Sequence, residues 1–432
     1  MSTSTSRLKP LEKPRWSRAV AIAASAAVVV LVAIGGFALL ARMGGEEIAP
    51  AVPAGEVSLL AGTWERTKIT ELEPLVHFVA LKLGTSDFGL VAAAVMDGVW
   101  LSEDGTEWHR ALAVPNEPST VSPNTTLAPP MTAPPPSGNV ETYVRHVVEY
   151  NGALYATGNA VIGQDKPEEL ESRLVVWRTT DGRQWDEITL ASATAEFTPG
   201  AGALLVGDGA LFIYTEDGAV YRSEDGESWT RHDANAHGTT FVMFGDEYVA
   251  IGEEPAGQTD IAYVSTSPDG ITWDRVPGSE FPVGHHPYAP LVEFDGALYV
   301  GGLTFLDDAA GAVWRSTDGE TFTAVDLGVR APFGSSGDEN MPAMYGVEDL
   351  VVTPHGMLVI GHAPGEAVNH QDIVVLATED GITYEPVPDP DGLFTDAVHT
   401  SGVFSDGRVV LVGHAVYSEE SDARAYQWVW TP

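Results

Sequence analysis

The sequence predicts an all-β protein: a seven-bladed β-propeller of four-stranded blades, preceded by one transmembrane helix. Three observations carry this reading: a turn string that recurs six times, hairpin-like runs between its copies, and one long uncharged apolar segment near the N-terminus.

The apolar segment comes first along the chain. Residues 19–41, AVAIAASAAVVVLVAIGGFALLA, carry no charge over a length that matches the ~20 residues needed to span a bilayer. Arg7, Lys9, Lys13, Arg15 and Arg18 precede it, so the positive-inside rule keeps residues 1–18 as a cytoplasmic tail and sends the remainder across. A cleaved signal peptide would want a small residue where Leu39 stands before Ala41. The expected location is therefore the plasma membrane, single-pass, with residues 42–61 as a linker to an external propeller over 62–432.

The chain has no cysteine, which excludes disulfides, thiolate metal sites and a cysteine nucleophile. Five of the 22 basic and one of the 61 acidic residues precede the span, so the external part carries a net charge of −43. Such a field repels nucleic acid and other polyanions. It suits solubility and basic partners.

The repeat reads WLSEDGTEW (100–108), WRTTDGRQW (177–185), YRSEDGESW (221–229), VSTSPDGITW (264–273), WRSTDGETF (314–322) and LATEDGITY (376–384). Its glycines are spaced by 77, 44, 44, 49 and 62 residues, and a period in the forties with short strands is a propeller-blade signature. Each copy reads as a hairpin turn. Gly supplies positive φ, and the carboxylate of Asp104, Asp181, Asp225, Asp269, Asp318 or Asp380 accepts backbone N–H groups.

Runs such as FVMFGDEYVAIG (241–252) and LVEFDGALYVGG (291–302) supply two more strands per blade. A seventh blade follows from 398–415 and 423–430, and AGTWERTKI (61–69) resembles the strand after each turn string, so residues 62–69 are expected to close that last blade. The Pro/Ser/Thr-rich stretch 115–139 interrupts the repeat as an insertion.

The turn strings resemble the Asp-box, or BNR, repeat of the sialidase-like propeller superfamily, with one residue fewer between Asp and the aromatic. The resemblance covers essentially the whole external region and implies the fold. For a sialidase it would further imply three arginines gripping a substrate carboxylate, and a Tyr/Glu pair with an acidic residue for catalysis. The F/Y-R-I-P motif of that family's first blade is absent, and no catalytic residue carries over. Arg178, Arg222 and Arg315 recur at one position of the repeat and belong to the blade pattern. Arg145, Arg173, Arg330 and Arg424 are left for the other face.

Within an up-and-down blade the two tight turns fall on one face and the long connections on the other, so a site is expected opposite the turn strings. Binding candidates there are Glu253, His285, His286, Arg330, His362 and His414, with His285 and His286 read as lying in a blade-to-blade loop. Asp389, Asp391 and Asp396 of DPDGLFTD are the calcium candidates, with Asp307 and Asp308 in a second acidic loop, although the EF-hand pattern is missing. No other cofactor is expected.

The expected function is a monomeric, membrane-anchored, non-enzymatic binding or scaffold module for protein or glycan. A surface glycoside hydrolase of sialidase-like fold is the alternative. A third reading resembles the propellers that help build photosystem II, but those rely on a basic patch that a charge of −43 opposes.

Overall fold

The computed structural model describes residues 58–69, 81–94, 98–105, 107–113, 140–162, 171–194, 200–256, 259–304, 310–329, 343–365, 371–415 and 424–432. They form seven antiparallel four-stranded sheets. Blades one to six run in chain order over 81–113, 140–194, 201–233, 240–275, 285–325 and 346–386. Among the described residues no helix is long and apolar enough to cross a membrane. The span expected over 19–41 and the insertion 115–139 lie outside them.

Blade seven is made from both ends of the chain. Its three inner strands are Val398–Ser405, Arg408–Ala415 and Arg424–Thr431, and its outermost strand is Thr63–Lys68. Trp64 pairs with Trp430 and Lys68 with Tyr426 in an antiparallel ladder. Arg66 fixes this strand sideways: its Nη1 donates to the carbonyls of Leu393 and Thr395, at 3.2 and 3.1 Å. Its guanidinium also lies 4.1 Å from the centre of the Tyr426 ring. Joining first and last strands removes the free edges of an open array.

The second strands of the blades read as continuous apolar runs, for instance Ala210–Thr215 (ALFIYT), buried at every position. Side chains of a strand alternate between its two faces, and here both faces meet a neighbouring blade. Buried apolar residues accordingly fall into seven clusters, one for each seam between blades. In the seam of blades three and four, Tyr214 stacks on Phe241 with centroids 4.0 Å apart, and Trp273 closes edge-on against both.

The turn strings all connect a third strand to an outermost one. In blade three, Asp225 Oδ1 accepts the N–H groups of Glu227 and Ser228 at 2.8 and 2.7 Å and the hydroxyl of Ser223 at 3.1 Å. The Ser223 hydroxyl in turn accepts the N–H of Gly226 at 2.8 Å. Asp269, Asp318 and Asp380 repeat the carboxylate's bonds. Arg178 and Arg315 donate from Nε to Tyr155 and Tyr299 of their own blades, at 3.0 and 2.8 Å. These recurrent arginines thus hold the blade together.

The backbone donors have a pH consequence. Asp181, Asp225, Asp318 and Asp380 are held below the usual carboxylate range, first by the N–H three residues on. For Asp380, Thr383 and then Ile382 bring the value down to about 2. A carboxyl with a depressed folded-state pKa stabilises the fold above its unfolded value, about 4, and loses that contribution as the pH falls through the folded one. Stability is therefore expected to decline between about pH 4 and pH 2. In Asp380→Asn that decline should be shallower, and acid titration followed by circular dichroism measures it; an unchanged slope would remove the role given to this turn.

Candidate functional site

The innermost strands line the axis, and five of the seven break register with their partners. The breaks lie between Val144 and His146, Ala201 and Ala203, Pro287 and Leu291, Val347 and Asp349, and His399 and Ser401. A bulge puts an extra residue on one strand and re-aims its side chain. The inserted residues include Arg145, Tyr288 and Glu348, and each of these reaches across a seam.

Tyr288 Oη donates to Glu348 Oε1 at 2.9 Å, joining blades five and six. His362, on the second strand of blade six, places Nδ1 3.9 Å from the same carboxylate oxygen. Tyr345 lies beside it, with ring centroids of Tyr345 and His362 6.3 Å apart. One seam earlier, His286 Nδ1 stands 3.6 Å from Glu253 Oε1, linking blades four and five. Two histidine–carboxylate pairs are thus set on either side of one strand, His285–Phe294, with Tyr288 between them. Gly346 gives this arrangement room: a Cβ there would stand 2.7 Å from Tyr288 Oη.

Burial sets the electrostatics. It raises the Glu253 carboxyl, with the His286 imidazole pulling the other way. It also pushes the Tyr288 phenol well above its ordinary value, and the adjacent Glu348 adds to that shift. Tyr345 is pushed up to about 12 by burial and then by Glu348. These phenols stay protonated at neutral pH, and that of Tyr288 donates to Glu348. His285 goes the opposite way, its pKa lowered by burial and then by His286; its ring packs on Trp314, with centroids 5.6 Å apart.

The sequence candidates are distributed as follows. Glu253, His286 and His362 enter the constellation, while His285 turns to the Trp314 core. His285 and His286 do not lie in a loop: they begin the innermost strand of blade five. The string HHPYAP reads as a loop because two prolines lack the N–H a ladder needs, and in fact they flank the bulge, where a missing donor costs nothing. His414 takes the matching place on the second strand of blade seven, opposite Val398 and Ala425. Arg330, Asp307 and Asp308 lie outside the described residues.

Arg145 pairs with Glu216 at 2.8 Å across the seam of blades two and three, and Arg173 with Glu171 at 2.7 Å. Asp389 spends its carboxylate on the N–H groups of Leu393 and Phe394, at 2.6 and 2.9 Å. Asp396 takes a positive φ of 51° and donates its N–H to Asp372. Among the described residues no three His, Asp or Glu side chains gather as metal ligands.

Tyr288, Tyr345 and Glu348 escaped the sequence reading. The two prolines around Tyr288 were the available signal of a bulge.

No protein-family model matches the chain, and no curated protein matches it. Among solved structures it is similar to YCF48 bound to D1 peptide, with 16% identity over 87% of this chain and 97% of that one, at a TM-score of 0.50. It is also similar to the phage phi92 endosialidase, with 10% identity over 85% and 69% at a TM-score of 0.40. A protein of unknown function from Dyadobacter fermentans matches with 14% identity over 66% and 93%, again at 0.40. These are likenesses of fold. They leave the function to the side chains of the axial face.

Proposed function

We propose that the chain is a membrane-anchored, extracytoplasmic binding module of the Asp-box type that holds a protein segment on its long-loop face. The observation that carries this reading is the bulge-built constellation of Glu253, His286, Tyr288, Glu348 and His362, which presents half-buried acceptors from three blades. A propeller of the same fold has been captured with a peptide, which supports a polypeptide over a glycan.

Strand polarity supports the placement. The closing strand Thr63–Lys68 runs from the turn-string face toward the long-loop face, because it is antiparallel to Arg424–Thr431. The chain thus enters the ring on the turn-string side, which leaves the long-loop face free of the expected anchor's approach. Panning a random-peptide library on the full chain in nanodiscs tests the reading: bound peptides should lose affinity with Glu348→Gln and keep it with Glu224→Gln on the opposite face. The reverse pattern would refute it.

The glycoside-hydrolase alternative draws on one observation, the Tyr288–Glu348 pair. A phenol nucleophile is activated by an adjacent base or by a lowered pKa: Glu348 stands where such a base would, at 2.9 Å, whereas burial raises the pKa of Tyr288. Sialoside turnover abolished by Tyr288→Phe would restore the enzymatic reading.

A further inference from the structure

Neighbouring glutamates on the second strand of blade four meet different fates. Glu254 receives Arg275: Nη1 lies 2.8 Å from Glu254 Oε1, Nη2 lies 3.0 Å from Glu280, and the guanidinium sits 4.2 Å from the centre of the Tyr263 ring. Glu253 faces the next blade and, among the described residues, receives no guanidinium. Its ion-pair contact is the imidazole of His286 at 3.6 Å, longer than a good hydrogen bond. Only 28% of its side chain is exposed, so this carboxylate is largely withdrawn from water without, among the described residues, the donors that usually accompany burial.

Beside it the connection from blade four to blade five folds back. His285 N–H donates to the Pro282 carbonyl at 3.0 Å, and Gly284 takes a φ of 82°. That is a type II turn with Val283 at its corner. Val283 is 48% exposed and, with Ile382 on the opposite face, is one of two large exposed apolar side chains among the described residues. Phe281 N–H bonds the carbonyl of Ala262, the ladder partner of Glu253, so the turn overhangs the same seam. An under-supplied acceptor beside an apolar corner matches a long side chain with an aliphatic stem and a cationic head.

We infer that the seam of blades four and five receives an arginine or lysine side chain of a bound polypeptide, its head on Glu253 and its stem against Val283. Arg275 on Glu254 is the internal template for the arginine case, with Tyr263 in the place of the apolar partner. Glu348, one seam further on, adds negative potential, and the net charge of −39 favours approach of basic segments. Planar, bidentate donation favours arginine over lysine.

The inference rests on the reading of the long-loop face as a polypeptide-binding surface, and the experiment separates the two. Peptides selected on the full chain in nanodiscs are labelled, and their Kd is measured by fluorescence anisotropy for wild type, Glu253→Gln and Val283→Lys. The selected sequences should share a basic residue. Replacing it with norleucine, or making Glu253→Gln, should weaken binding about tenfold, as for one charged partner at an interface. The two changes together should cost no more than either alone. Val283 lies on an exposed turn, so Val283→Lys keeps the fold whatever Glu253→Gln does, and it should repel the same peptides. A library that yields no binder would sink the binding module itself. Binders without a shared basic residue, or with equal affinity for wild type and both variants, would sink the cation seat and leave the module standing.

Discussion

Trp64→Ala should destabilise the propeller by about 3–5 kcal/mol, the range for removing a large buried aromatic side chain. Trp64 is 9% exposed, meets Phe394 edge-on at 5.3 Å, and belongs to the apolar cluster between blades six and seven. It is also the main buried side chain of a strand whose other positions are largely exposed. The lost contact therefore falls on the one junction where blade seven is held without chain continuity. Guanidinium denaturation measures the loss, and hydrogen exchange should show the 426–431 ladder opening faster than the ladders of blade three. A variant with wild-type midpoint and wild-type exchange would mean that the ring does not depend on this closure.

Gly226→Ala should cost about 2–5 kcal/mol, combining the left-handed backbone penalty with overpacking. Its φ is 71°, and a Cβ there would stand 1.9 Å from Tyr155 Oη of the preceding blade. Tyr155 is 1% exposed and tied to Arg178, so its ring has little room to retreat. Gly209, in the same blade, supplies the control: its φ is 69°, and nothing lies within 4 Å of the added carbon. Gly209→Ala should show the backbone penalty alone. Thermal unfolding of the two variants separates conformation from contact; equal losses would show that Tyr155 accommodates the methyl group. Gly381 repeats the arrangement under Tyr299, with φ 67° and 2.0 Å to its Oη.

Much of this architecture was legible before any coordinate. The turn strings are local: Asp225 binds N–H groups two and three residues on, and such bonds are readable from spacing. The blade count followed from their period. The apolar continuity of the second strands was visible as well, since two buried faces leave no alternation. The resemblance of residues 61–69 to a strand beyond each turn string anticipated a pairing across more than 350 residues, which Trp64 and Trp430 make.

The constellation on the axis was legible only in part. Glu253, His286 and His362 were expected on the long-loop face, His286 in a blade-to-blade loop. Tyr288 and Glu348 were not, because the extra residues of a bulge re-aim side chains without leaving a mark in hydropathy. The sequence pattern by itself determined what repeats: turns, strand alternation and the number of blades, all governed by interactions within a few residues. The tertiary structure decided what happens once. Which carboxylate meets an imidazole, which glycine lies under a neighbour's tyrosine, and which bulge turns Glu348 toward Tyr288 depend on seams between blades. Those contacts join residues far apart in the chain, and only close packing of the completed ring brings them together.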